Sequence, residues 1–265
     1  MAIFLKKNTG YFQGFHATEI YLPVSLITDA VRNFSRVLRN KKDVYEQRAI
    51  LPVMPWKSII HRKPICFQES RKNDGGVRFS ELGVLCRFAR HLSPRSQIFE
   101  IGTFDGRTTF NLALNAPGCR VATLDLPAKN KTLFATEPGE RHFIEKEGSG
   151  QIFLKNAQRF PDAVERITKL YGDSAQFDFT PYEGKCDLVF VDGSHAHEYV
   201  INDTKTAFRL IKNTGTIIWH DYGVWPGVTR ALEEIEGKKK LGLKNIQGTS
   251  LVVWKASGRD AITFP

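Results

Sequence analysis

The sequence predicts an α/β protein: a mostly parallel sheet covered by helices on both faces, closed by an antiparallel C-terminal hairpin strand, with a helical extension at the N-terminus. Three observations carry this. From residue 98 onward, short apolar runs alternate with amphipathic helical segments, the pattern of strand–helix–strand units. The runs are mostly apolar, as strands buried on both faces are. The tail differs: two apolar runs, residues 243–246 and 251–254, flank a turn at Gln247-Gly248-Thr249 and read as a hairpin.

Taken in order, residues 1–78 form the extension and residues 79–265 the main domain. Within the extension, Leu26, Ala30, Val31, Phe34, Val37 and Leu38 recur at helical spacing, so residues 25–38 read as an amphipathic helix. Pro52, Pro55 and Pro64 then punctuate an irregular stretch. A substrate lid, an oligomer contact and a plain addition to the core all remain open for this part. Ser80 reads as the N-cap of a helix over residues 81–92, with Leu82, Leu85, Cys86, Phe88 and Ala89 on its apolar face. Strands follow at 98–101, 121–124, 167–171, 188–191 and 216–219. Helices are expected near 108–116, 160–166, 198–211 and 227–236. About forty residues separate the second and third strands, more than one crossover needs. Residues 127–150, polar and Gly/Pro-bearing, are expected to be an insertion over the site.

Composition narrows the class. The chain has 265 residues, 42% hydrophobic and 25% charged, which suits one good globular core. No apolar run approaches the roughly 18–20 residues of a membrane span. Met1 to Lys7 lacks the order of a secretory signal. Cys66, Cys86, Cys119 and Cys186 show no C-x-x-C spacing, which argues against a zinc site or disulfide framework and for a reduced, cytoplasmic protein. The net charge of +10 would suit an anionic partner. The basic residues are scattered, however, with no stripe interleaved with aromatics. The charge therefore reads as a solvated basic surface, and nucleic acid is not the expected partner.

The chemistry gathers at the strand ends. In an open α/β sheet, ligands bind beyond the carboxyl ends of the strands. After the first strand, Gly102-Thr103-Phe104-Asp105-Gly106 turns into a helix whose free N–H groups suit a nucleotide-like cofactor. A dinucleotide fingerprint would need glycines where Phe104 and Arg107 stand. The pattern present is Glu100-x-Gly102-x-x-x-Gly106. Asp125 ends the second strand about 20 residues later, where an acid can accept both ribose hydroxyls. Asp173 and Ser174 follow the third strand, and Asp173 or the neighbouring amide can bond an adenine amine. Asp192-Gly193-Ser194-His195 follows the fourth, and His220-Asp221-Tyr222 the fifth. Asp192 and Asp221 on adjacent strands could hold a divalent cation through oxygen. His195, with an imidazole pKa near neutrality, could take a proton from an acceptor hydroxyl.

The glycine pattern resembles the first motif of class I S-adenosylmethionine-dependent methyltransferases, whose sheet is Rossmann-like. The stretch from Phe190 to Val200, the segment Gly215-Thr-Ile-Ile-Trp-His-Asp-Tyr222 and Gly227-Val-Thr-Arg-Ala-Leu-Glu-Glu234 resemble the small-molecule O-methyltransferases. That group includes macrolide-sugar and aminocoumarin-sugar enzymes and is distantly similar to catechol O-methyltransferase. The resemblance spans roughly residues 80–255.

It implies S-adenosylmethionine held by Glu100, Gly102, Asp125 and Asp173, with Thr103, Gly106, Ser174 and Asp192 at the same strand ends. It also implies Mg2+ at Asp192 and Asp221. Two departures stand out. Several relatives carry an acid where Ser194 stands, and often two consecutive acids where His220 and Asp221 stand. Proton removal then falls to His195 or His220, beside Asp192. The implied reaction is methyl transfer to a hydroxyl of a small molecule, sugar or polyketide-like. Self-association is compatible with the sequence. Two alternatives stay open: a ligand-binding protein of this fold without its chemistry, and a nucleic-acid methyltransferase. Against the second, the fourth strand ends in Val-Asp-Gly-Ser rather than an Asn-Pro-Pro-Tyr-like tetrad.

Overall fold

A computed structural model describes residues 4–5, 11–14, 50–59, 64–68, 76–128, 130–145 and 148–257. The helix expected over residues 25–38 lies outside them. The N-terminal part supplies four short strands, β1 (Phe4–Leu5), β2 (Tyr11–Gly14), β3 (Val53–Met54) and β4 (Ile65–Gln68). Helix α1 (Phe79–Arg90), β5 (Gln97–Ile101), α2 (Arg107–Asn115), β6 (Arg120–Asp125), β7 (Ile167–Tyr171) and β8 (Cys186–Val191) follow. The chain continues through α3 (His197–Leu210), β9 (Ile211–Trp219), α4 (Pro226–Lys239), β10 (Lys244–Ile246) and β11 (Val252–Lys255).

Eight strands form one sheet in the order β3-β10-β11-β9-β8-β5-β6-β7. From β9 to β7 all neighbours are parallel. The expected hairpin is present: β11 runs antiparallel to both β10 and β9. β3 extends the edge, parallel to β10, and β1, β2 and β4 form a separate antiparallel sheet. The chain lays down β5, β6 and β7 in one direction, then returns to place β8 on the other side of β5. The strand order therefore reverses between β5 and β8, opening a crevice at their carboxyl ends.

Strand alternation divides the core into two layers. Ile98, Leu188, Phe190 and Ile218 face one way and pack with Leu82, Leu85, Phe110 and Leu112 of α1 and α2. Phe99, Ile101, Val189 and Val191 face the other way and pack with Val200 and Phe208 of α3 and Val228 and Leu232 of α4. Burying each such side chain contributes about 1.5–3 kcal/mol. Ile59, Ile65, Phe67 and Val77 are buried in the first layer, so the extension packs into the core of the main domain.

Two boundaries differ from expectation for local reasons. α1 begins at Phe79, and its N-cap is Arg78 rather than Ser80. Glu81 sets this register, because its Oε2 accepts the Arg78 backbone N–H at 2.9 Å. β9 starts at Ile211, directly from α3, and crosses a register shift opposite Cys186 and Leu188. Gly215 permits that irregularity, since a Cβ there would lie 2.5 Å from Ile211 Cδ1. The polar stretch Lys212-Asn213-Thr214 hides the first half of the strand from an apolar-run reading. Among the described residues between β6 and β7 the helices are short turns, at Pro138–Glu140, Arg141–Ile144, Gln151–Lys155 and Pro161–Val164. No helix among the described residues is long and apolar enough to cross a membrane.

Candidate functional site

The loop after β5 meets the end of β8 in the crevice. Asp192 N–H donates to Ile101 O at 2.8 Å. Gly102 has φ +97°, and a Cβ on it would lie 2.0 Å from the Asp192 carbonyl oxygen. Only glycine satisfies both demands. Gly106, at φ +83°, caps α2 and would meet Phe153 and Gly150 if it carried a Cβ. Residues from the insertion therefore lie against this loop. Gly150 N–H bonds Phe104 O, and Ile152 N–H bonds Asp105 O, both at 2.9 Å.

The residues expected to hold a cofactor fall into two groups. Asp125 ends β6, half-buried, beside the Thr103 and Phe104 amides. Burial raises its pKa, against the Ser149 hydroxyl and the Phe104, Thr103 and Leu126 amides, which pull it down. A carboxylate in this place can accept two neighbouring hydroxyls, so this acceptor fits a ribose. Glu100 and Asp173 are already engaged within the chain. Glu100 is 1% exposed and accepts hydrogen bonds from Thr109 Oγ1 and, at 2.6 Å, from Thr123 Oγ1. Thr103 Oγ1 lies 2.6 Å from Thr123 Oγ1, so Glu100 braces the loop from beneath. Burial pushes its pKa up to about 8, against the two threonines.

Asp173 accepts from Leu133 N–H (2.7 Å), Ala175 N–H (3.0 Å), Gln176 Nε2 (3.0 Å) and Tyr199 Oη (2.8 Å). Burial works against it, but these donors hold its carboxyl below the ordinary value. The side chain thus ties the insertion to the end of β7, and the Ala175, Gln176 and Phe177 amides all turn back onto Asp173.

The catalytic candidates form one hydrogen-bonded chain. His195 Nε2 lies 2.9 Å from Asp221 Oδ2. The same oxygen is 3.2 Å from His220 Nδ1, which is 2.9 Å from Asp192 Oδ1. His220 Nε2 is 3.1 Å from Glu81 Oε2. At the other end, His195 Nδ1 is 2.7 Å from Glu140 Oε2, and its ring stacks on Trp225 at 4.3 Å. Asp192, Ser194, His195, His220, Asp221 and Val228 line one cavity. Asp221 takes φ +65°, a left-handed turn that aims its carboxylate back at both imidazoles.

Sequence reasoning did not single out Glu81 and Glu140. Both are buried, and both occur at capping-box spacing, Arg78 to Glu81 and Glu137 to Glu140. That pattern signals a helix start and gives no hint of a partner far along the chain.

The electrostatics correct one expectation. His195 does not titrate near neutrality. Burial disfavours its charge, but the Asp221 and Glu140 carboxylates outweigh burial and push its pKa up to about 9. It is therefore an imidazolium at pH 7. His220 is raised well above its ordinary value in the same way, by Asp221, Asp192 and Glu81 against burial. Burial raises Asp192, which also feels the Asp221 charge, while His220 draws it down. Burial also opposes the charges on Glu81 and Asp221, but their cationic partners hold both well below the carboxylate range.

A divalent ion fits here in part. One atom each from Asp192, His220 and Asp221 converge within 4.8 Å. The set is two oxygens and a nitrogen, whereas Mg2+ favours an all-oxygen shell with several waters.

The comparisons bear on the same crevice. Residues 99–222 match the model of the methyltransferase domain. The methyltransferase domain so matched begins in β5 and ends just past Asp221, taking in Asp125, Asp192, His195 and His220. The resemblance to class I S-adenosylmethionine-dependent methyltransferases holds over that span. The O-methyltransferase NovP aligns over 66% of this chain and 78% of its own, at 14% identity and a TM-score of 0.54. Cofactor-bound Rv0187 from MTB aligns over 70% and 84%, at 20% identity and a TM-score of 0.48. The likeness to NovP shows that this chain shares its fold. No protein of curated function matches the sequence.

Proposed function

We propose that this chain is an S-adenosylmethionine-dependent O-methyltransferase acting on a hydroxyl of a small molecule, a sugar or polyketide-like alcohol. The observation that carries this reading is a juxtaposition at the strand reversal. The Gly102–Gly106 loop abuts Asp192 of the cavity that also holds His195, His220 and Asp221, and Asp125 ends β6 on the other side of β5, all inside the segment that matches a methyltransferase domain.

In this reading Asp125 accepts the ribose hydroxyls, the loop amides approach the cofactor's polar atoms, and the turn at Ser174 lies against the adenine. When bound, S-adenosylmethionine supplies an electrophilic methyl group. The protein's part is to align the acceptor oxygen, exclude water and take up the hydroxyl proton. The last task belongs to the linked side chains of Asp192, His195, His220 and Asp221, which share protons across bonds of 2.9–3.2 Å. Because His195 is protonated at rest, it accepts a proton only after passing its own along the chain.

Calorimetric titration with S-adenosylhomocysteine, with NAD as the control, tests this. Micromolar binding that falls at least about tenfold in Asp125→Asn, with the fold intact, is the expected result. Binding of NAD instead, or of neither, would overturn it.

A further inference from the structure

We propose that Glu81 makes His220 a metal ligand through Nδ1, and that Asp192, His220 and Asp221 take a first-row transition dication in preference to Mg2+. The inference deepens the reading above, because it places that ion in the acceptor cavity.

Glu81 is fully buried at the third position of α1. Its Oε1 accepts Ser250 N–H at 2.7 Å, Ser250 Oγ at 2.8 Å and Arg78 Nε at 3.0 Å. Its Oε2 accepts Arg78 N–H at 2.9 Å and faces His220 Nε2 at 3.1 Å. So many donors fix the carboxylate in place, and an ionised carboxylate only accepts. His220 must therefore carry a hydrogen on Nε2.

The neutral tautomer so selected has its lone pair on Nδ1. That atom points at Asp192 Oδ1, 2.9 Å away, and Asp221 Oδ2, 3.2 Å away. Donor atoms bound to one ion at about 2.0–2.2 Å stand roughly 3–4 Å apart, close to this spacing. A carboxylate behind a ligating imidazole is the usual outer support of a protein metal site. An imidazole nitrogen beside two carboxylates favours Mn2+, Co2+ or Zn2+ over Mg2+. The ion would replace the proton at Nδ1, which leaves to solvent.

The test uses the full chain without cofactor, titrated separately with Zn2+, Mn2+ and Mg2+. The expected result is that Zn2+ or Mn2+ binds at least tenfold more tightly than Mg2+. His220→Asp, which restores an all-oxygen set, should remove that preference. Glu81→Gln should weaken transition-ion binding by about 10–100-fold. Equal affinity for all three ions, no binding of any, or a preference unmoved by His220→Asp would overturn the proposal. The native chain and His220→Asp decide the matter even if Glu81→Gln fails to fold. S-adenosylhomocysteine binding without ion preference sinks this inference alone. Ion preference without S-adenosylhomocysteine binding sinks the methyltransferase reading alone.

Discussion

Glu140 Oε2 lies 2.7 Å from His195 Nδ1, joining a residue of the insertion to one 55 positions later. The same carboxylate accepts His195 N–H at 2.8 Å, Ser194 Oγ at 2.7 Å and Glu137 N–H at 2.7 Å. One buried side chain therefore anchors the insertion and holds the ring of a catalytic candidate.

Removing it should be expensive. Glu140→Ala strips the acceptor from His195 Nδ1 and its backbone N–H while Asp221 still balances the ring's charge, a loss of about 1–3 kcal/mol. Urea denaturation should show the loss as a lower midpoint at unchanged slope. A midpoint equal to that of the native chain would mean the contact contributes nothing.

Glu100 predicts a pH dependence of stability. Its pKa rises from the ordinary 4.5 to about 8 on folding. Between those values the folded state holds a proton that the unfolded chain has released. Stability therefore falls as pH rises from 4.5 to 8. Glu100→Gln should flatten that part of the profile by a few kcal/mol, on the order of the shift converted at about 1.4 kcal/mol per unit. Identical profiles for the two proteins would refute the assignment.

The glycines give a paired comparison. Gly102→Ala places a Cβ 2.0 Å from the Asp192 carbonyl oxygen at φ +97°. Gly184→Ala meets nothing within 4 Å at φ +64°. The second should show only the left-handed penalty of about 1–2 kcal/mol. The first should exceed roughly 4 kcal/mol or prevent folding. Similar melting temperatures for both would contradict the packing of β5 against β8.

Tyr222 holds the segment that leads into β3. Its Oη accepts the N–H of Leu51 at 2.9 Å and of Ile50 at 3.0 Å. Ile50 N–H has a second acceptor, Glu233 Oε1, at 3.2 Å. Tyr222→Phe should therefore speed hydrogen exchange at Leu51 more than at Ile50, with a loss of about 1–3 kcal/mol for the orphaned amide. Equal acceleration at both amides would speak against this arrangement.

The sheet was legible because its strands are buried on both faces. Residues 98–101, 121–124 and 188–191 read as apolar runs, and those runs are β5, β6 and β8. The acids follow from the strand ends, so Asp125 at β6, Asp192 past β8 and Asp221 past β9 were visible with them. Glu81 and Glu140 were not. Each reaches its histidine across the fold, 139 positions away for Glu81 and His220, and nothing local marks such a contact. The state of His195 was hidden for the same reason, since its pKa depends on a carboxylate from the insertion. The first half of β9 was missed because polar residues occupy an irregular edge of the pairing.

The pairing of β3 with β10 sets a timetable. Val53 aligns with Asn245, so the first of these strands to be synthesised has no partner until nearly the whole chain exists. At ribosomal rates of about 5–20 residues per second, that wait is roughly ten to forty seconds. Throughout it, the central parallel strands can assemble while residues 50–54 stay undocked. The outermost strand of the sheet is therefore among the earliest made and the last placed, and shortening the C-terminal hairpin should strand it.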